Sequence, residues 1–351
     1  MLKCLGMFIV VQGHIHPSYG WFSLPLHSFV IPLYFFLSGV TFRRSKFPTF
    51  GQFAKHRAKT LLLPYVMFSV LIWIIWASFR YITHSEVTSY WNPLLQTLIA
   101  QGSGKFLVHN VPLWFIPCLF VIESMYYFID KLPKIVNLLA CIICAFIGTW
   151  MITGPYSDIL KLLPWSIESA FAAIIFYCAG NMLTKTWTLK EIEKKIVAKK
   201  WWAILTIVIL TLVLINTAHW NRHISLGSDL LGRNPLMFYF NAIIGITSIF
   251  LFSVLVCSIK CENKPWKKIM DFHLFFGKNS FYIMATHVPV KGFLMAGIAA
   301  LIHQSVTFIA NDYFWAAVTF ATTSVICSIL AIYIQKQKDR DHEWVKRIKQ
   351  Q

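Results

Sequence analysis

The sequence predicts an all-α, polytopic membrane helix bundle of about ten transmembrane helices. Three observations carry this prediction. The chain of 351 residues is 57% hydrophobic and 16% aromatic but only 13% charged, with a mean hydropathy of +0.61, which is too apolar for a water-soluble globule. Ten stretches approach the roughly 17 to 25 apolar residues that cross a bilayer; they centre near Phe8, Phe35, Ile72, Phe120, Ile143, Phe176, Ile209, Ile246, Ala296 and Val325. Backbone polar groups in hydrocarbon must be satisfied within each segment, which makes the spans helices.

The first segment is marginal in length. Its apolar part, from Met1 to about Gln12, supplies about 18 Å of helix against a hydrocarbon core of about 30 Å. Either residues upstream complete it or the helix continues through His14 to Pro17. It has no small-residue cleavage site and nine further spans follow, so it is expected to be a retained helix rather than a signal peptide.

The connections after it alternate in charge. Six Lys/Arg lie between Arg43 and Lys59, two at Lys131 and Lys134, six between Lys185 and Lys200, five between Lys260 and Lys278, and six in the tail from Lys336. The intervening loops hold Lys105, Lys161, Arg222 and Arg233. By the positive-inside rule both termini are expected in the cytoplasm, with the longest outside loop running from about Tyr81 to Val111. The net charge of +18 is then accounted for by orientation and contact with anionic lipid. Nucleic acid is not needed to explain it.

Thr188 to Lys200 places Leu189, Ile192, Ile196 and Val197 at helical spacing among charges, the pattern of an amphipathic helix on the cytoplasmic surface. No Gly/Ser linker or low-complexity tract interrupts the chain. One ten-helix domain is therefore expected over residues 1–335, followed by a basic cytoplasmic tail at 336–351. Most of the eight cysteines sit within or at the ends of apolar segments as small hydrophobes. Cys141 and Cys144 form a C-x-x-C without the flanks of a metal or redox site, and no metal is called for. Tyr19, Trp21, His27, Tyr90, Trp91, Tyr156, Trp165, Trp220, Arg222 and His223 fall in the outside loops. Interfacial aromatic belts explain most of them, although aromatic faces beside polar groups also suit a sugar.

Ionisable residues at membrane depth are functional hypotheses by default. His14 closes the first segment, and Lys3 stands eleven positions before it, almost three turns, so both lie on one helical face about 16 Å apart. A neutral imidazole there is suited to general-base work; a packed structural histidine is the plainer alternative. The loop Arg43-Arg44-Ser-Lys46 and Lys55-His56-Arg57-Ala-Lys59 crowds its cations around two helix ends and closes on Thr60-Leu-Leu-Leu-Pro64-Tyr65, a place that would fit a phosphate-rich donor such as a coenzyme A thioester. Of these, Arg57 and Lys59 stand nearest the apolar run. They are placed at the first turn of the third span, where free N–H groups favour phosphate, although a purely topogenic role fits as well. Glu123 in the fourth span and His287 and Lys291 in the ninth are charged where lipid rejects charge. Glu123 and Lys291 would suit each other as an ion pair, structural or catalytic, and His287 would suit the cavity of His14.

Five segments recur in an order that carries a resemblance: Val10-Val-Gln-Gly-His14, Ile31-Pro-Leu-Tyr-Phe-Phe-Leu-Ser-Gly39, Arg57-Ala-Lys-Thr-Leu-Leu-Leu-Pro-Tyr65, Leu113-Trp-Phe-Ile-Pro117 and Asn279-Ser-Phe-Tyr-Ile-Met-Ala-Thr-His287. In combination they resemble the acyltransferase-3 family, and most nearly its fucose 4-O-acetylase-related membrane acetyltransferases. The resemblance implies an inner-membrane O-acyltransferase that passes an acyl group, acetyl in the simplest case, from cytoplasmic acyl-CoA to a sugar hydroxyl of a surface glycan or lipid-linked precursor. On this reading His14 acts as general base on the acceptor hydroxyl or relays the acyl group, with His287 and Glu123 as orienting or polarising groups, and Lys3, Arg57 and Lys59 around the donor phosphates. Acetyl-CoA or another acyl-CoA is then a substrate, and no bound cofactor is required.

Two departures stand out. The family's first-helix motif has Arg where this chain has Lys3, which lacks the planar fork that grips phosphate. Its Arg-x-x-Arg motif corresponds here to Arg57 and Thr60, so one charge is lost. The alternatives from other classes are a carrier or flippase with Glu123, His287 and Lys291 at a midplane site, and a non-catalytic scaffold of polysaccharide assembly. The carrier is disfavoured by the lack of a visible inverted repeat.

Overall fold

The structure is a computed structural model that describes residues 1–15, 23–84, 86–102, 107–259 and 263–348, with side chains described to residue 337. Tyr19, Trp21, Lys105 and Lys260, named above, lie outside the described residues, as does Pro17 and with it the continuation of the first helix to that residue. Helix follows helix in the order α1 (Leu2–Ile15), α2 (Ser23–His27), α3 (Val30–Thr41), α4 (Phe50–Arg57), α5 (Leu63–Ile82), α6 (Asn92–Ile99), α7 (Phe115–Ile129), α8 (Lys134–Thr153) and α9 (Ser157–Leu160). The second half contains α10 (Ile167–Thr186), α11 (Leu189–Ala198), α12 (Lys200–Trp220), α13 (Pro235–Cys257), α14 (Lys264–Lys278), α15 (Ser280–Leu301), α16 (Val306–Asn311) and α17 (Tyr313–Ile348). The strands among the described residues, β1 (Ile224–Ser225) and β2 (Leu230–Leu231), form one short antiparallel hairpin. The chain is an all-α polytopic bundle.

Among the described residues, nine helices are long and apolar enough to cross a membrane. They coincide with nine of the ten stretches read from the sequence. The tenth is α1, an apolar helix of 14 residues, whose described part ends at Ile15.

The helices group into two compact units. The larger covers residues 19–260 and is organised around α10, which packs on α3, α7 and α8. Small residues make these contacts close. A Cβ added at Gly39 would stand 2.0 Å from the Tyr177 carbonyl oxygen, one at Gly180 2.0 Å from that of Phe36, and one at Gly148 2.1 Å from the Ala172 nitrogen. Where hydrophobic drive between helices is absent, such backbone approach supplies the van der Waals contact that holds them. Asn181, buried on α10, donates to the Phe42 carbonyl at 3.3 Å and so meets an acceptor that the end of α3 leaves open.

The amphipathic segment is the helix α11. Thr188 caps it, and Thr188 and Glu191 form a reciprocal capping box. The smaller unit comprises residues 3–15 and 263–348 and packs α14, α16 and α17 about α15. Phe8 of α1 joins it through an aromatic cluster with Phe276 (ring centroids 4.6 Å), Phe320 (5.9 Å) and Phe272 (6.2 Å).

The glycine contacts give a stability prediction. Gly180→Val should destabilise the protein by about 1–3 kcal/mol through overpacking, read as a lower melting temperature in detergent. Gly292→Val, where a Cβ meets nothing within 4 Å, should change it far less.

Candidate active site

In the larger unit the basic connection after α3 folds over the end of α7. Tyr127 donates its hydroxyl to the Phe47 carbonyl at 3.1 Å and to that of Pro48 at 3.3 Å. Asp130, at the end of α7, pairs with Arg44 at 3.4 Å and with Lys185. Thr49 then caps α4 by accepting from the Gln52 N–H at 3.3 Å.

From there the backbone stays helical to Ile82, through a π-helical stretch at Ala58–Leu62. This corrects the expectation that Arg57 and Lys59 flank a helix start. The free N–H groups belong to the first turn after Thr49, and at Arg57 the backbone is already inside the helix. Thr60, in the place of the family's second arginine, turns its hydroxyl back to the His56 carbonyl at 3.0 Å. Lys59 is exposed.

Arg57 is half-buried, with 25% of its side chain exposed, and Glu123 on α7 retains 3%. The guanidinium donates from Nε and one terminal nitrogen to the two carboxylate oxygens. A bidentate fork of this kind is the strongest form of the ion pair. The pairing differs from the expected match of Glu123 with Lys291, because Lys291 has another partner.

The pair forms the floor of a cleft of about 150 Å³ lined by Ser38, Thr41, Arg43, Lys46, His56 and Arg57, with Phe42, Phe47 and Phe53. Arg43 is tethered to the Val40 and Phe42 carbonyls at 3.0 and 2.7 Å, and it joins none of the ion pairs among the described residues. Phe47 lies against His56 with ring centroids 4.9 Å apart. Cations, hydroxyls and aromatic faces together suit a phosphorylated, planar group. Arg43 and Lys46 belong to the basic constellation read from the sequence, and the fold brings them into one cleft with Arg57.

The Leu113-Trp-Phe-Ile-Pro117 motif has a structural part here. Trp114 is packed so closely by two loops that a Cβ at Gly102 or Gly227 would come within 2.9 or 2.6 Å of its ring. Beside these loops Gln101, Ser166, Glu168, Ser169 and Asp229 form a buried polar cluster, in which Ser169 donates to Asp229 at 3.2 Å and Gln101 to Glu168 at 3.2 Å. Burial holds the Asp229 carboxyl above the usual carboxylate range.

In the smaller unit the histidines named from the sequence meet. The His14 and His287 rings have centroids 5.1 Å apart and are tilted by 54°. His287, on α15, is fully buried, and its Nδ1 stands 2.8 Å from the Met284 carbonyl and 3.1 Å from that of Ile283. Those acceptors require a proton on Nδ1, which leaves Nε2 as the lone-pair nitrogen; it is buried without a partner. One turn further along α15, beyond Pro289, Lys291 donates to the His14 carbonyl at 2.8 Å. That carbonyl lies near the end of the described part of α1. Lys3 lies at the opposite end of α1, with its Cβ 3.5 Å from where a Cβ on Gly277 of α14 would stand.

This fold and these two groups of residues define a multi-pass membrane protein with partnered ionisable groups inside its helices. Residues 1–333 match the family model described as the acyltransferase domain of acyltransferase-3. The chain belongs to the acyltransferase-3 family and is a membrane acyltransferase. No curated protein and no solved structure matches it significantly.

Breaking a buried ion pair leaves one charge uncompensated. Glu123→Ala should therefore destabilise the protein by about 3–5 kcal/mol, whereas the double variant Arg57→Met, Glu123→Met should lose markedly less. Chemical denaturation in detergent, arranged as a double-mutant cycle, measures the difference.

Proposed function

We propose that this acyltransferase takes its acyl group, acetyl in the simplest case, from an acyl-CoA on the cytoplasmic side of a bacterial inner membrane. It passes the group to a sugar hydroxyl of a surface glycan or lipid-linked precursor. The observation that carries the reading is the His14–His287 pair, two imidazoles in contact with the tautomer of one set by backbone carbonyls. His14 is the general base that deprotonates the acceptor hydroxyl, and His287 orients it. A thioester is already activated, so the main requirements are positioning and removal of a proton.

Support for the donor comes from the cleft, where Arg43, Lys46 and His56 join Arg57. In this proposal Glu123 acts through Arg57, by fixing its guanidinium. Lys59 and Lys3 add positive charge outside the described cleft and draw the donor phosphates towards the protein. The acyl-CoA is a substrate, so the proposal includes no resident cofactor or metal. A sugar acceptor rests on the likeness of the five motifs to fucose 4-O-acetylase-related enzymes. The charge of alternate connections supports a cytoplasmic position for both termini. Family membership removes the ground for the carrier alternative, and the activity of purified protein tests the scaffold alternative.

His14→Ala should lower transfer of labelled acetyl from acetyl-CoA by about 10²–10⁴-fold while the protein remains monodisperse and normally expressed. Substantial transfer by such a variant would refute the base assignment. Calorimetric titration with acetyl-CoA should show Arg43→Ala and Lys46→Ala each weakening binding about tenfold, as loss of a charge-assisted contact requires. Equal affinity in wild type and both variants would remove the cleft from the donor site.

A further inference from the structure

We propose that the Lys291 ammonium is the electrophilic group of the transfer step, stabilising the oxyanion formed when the acceptor oxygen adds to the thioester carbonyl. The inference rests on the acyl-thioester reading above and assigns a group outside the base and donor sets.

Three observations converge on Lys291. Its Nζ lies 2.8 Å from the carbonyl oxygen of His14, so the ammonium is held on the residue that carries the proposed base. An ammonium has three donors, and this contact uses one. The ion pairs among the described residues join Arg44 and Lys185 to Asp130 and Arg57 to Glu123; none includes Lys291. A charge kept within a membrane helix without a carboxylate is costly. Capping a carbonyl does not demand it, since a neutral amide donates the same hydrogen bond. Finally, Lys291 is four residues beyond His287 on α15, and side chains at that spacing share a face. The face combines an unpartnered imidazole nitrogen with a cation.

The step balances on these groups. His14 takes the proton of the acceptor hydroxyl as its oxygen bonds to the acyl carbon. The carbonyl π pair moves onto oxygen, and Lys291 faces the resulting negative charge. Return of that pair restores the carbonyl and breaks the carbon–sulfur bond, and the departing thiolate takes the proton from the His14 imidazolium. Lys291 stays protonated throughout. A fixed charge aimed at a developing oxyanion lowers the barrier without lowering ground-state binding to match.

The test uses the full-length protein in detergent, with thiol release from acetyl-CoA followed with water or a methyl pyranoside as acyl acceptor. Lys291→Gln keeps a donor for the His14 carbonyl and removes the charge. It should lower kcat by about 10²–10³-fold with the KM for acetyl-CoA nearly unchanged, and Lys291→Arg should recover a large part of the loss. A Lys291→Gln protein with wild-type kcat would overturn the inference, as would equal losses in the Gln and Arg variants, because a cap alone then explains the lysine. A wild type that releases no thiol from acetyl-CoA overturns the donor reading itself, and this inference falls with it.

Discussion

The contact between α3 and α10 at Gly39 and Gly180 is the one on which the rest of the larger unit depends. Each glycine admits the carbonyl oxygen of the other helix into space that a methyl group would fill. At that separation Asn181 reaches the last carbonyls of α3, and Tyr177 lies edge-on to Phe42 and Tyr126. The connection leaving α3 is thereby aimed across α7, where Tyr127 and Asp130 hold it. The cleft with Arg57 at its floor follows from that path. Moving the two helices apart by a methyl group would lengthen several of these hydrogen bonds together.

Two buried charges are handled in opposite ways. Glu123 is neutralised by a guanidinium that occupies both of its oxygens, which suits a group that fixes geometry. Lys291 is held by a neutral carbonyl, and none of the ion pairs among the described residues includes it. Desolvation is costly in both cases, but only the second leaves a field directed at something else. The difference separates a strut from a group available to chemistry, and neither burial nor residue type alone reveals it.

Much of the fold was legible because hydrocarbon leaves few choices. Runs of apolar residues of the right length located nine spans, and the flanking cations were already visible as loop charge. The missed helix start shows where this reading stops. Phe50-Gly-Gln-Phe-Ala-Lys-His-Arg57 is polar enough to read as loop, yet Thr49 caps it and Phe53 buries one face, so the helix begins about three turns before the apolar run at Leu61. His14, His287 and Glu123 were visible as ionisable residues out of place. That His287 would suit the cavity of His14 was also visible, but the other partners were not: Arg57 lies 66 residues from Glu123 and Lys291 lies 277 from His14. Such pairings are set by packing, and one sequence carries little trace of them.

The π-helical stretch at Ala58–Leu62 has an evolutionary consequence. A π turn holds one residue more than an α turn. A single-residue deletion within it is absorbed by closing the bulge, and the two flanks keep their facing, with Arg57 on Glu123 and the Tyr65 hydroxyl on the Thr97 carbonyl. The same deletion elsewhere in this helix would turn one flank by about 100° against the other and carry one of those contacts away. Relatives that differ in length by one residue here would therefore keep both ends of the helix in register, with the bulge taking up an insertion or deletion that the rest of the span does not tolerate.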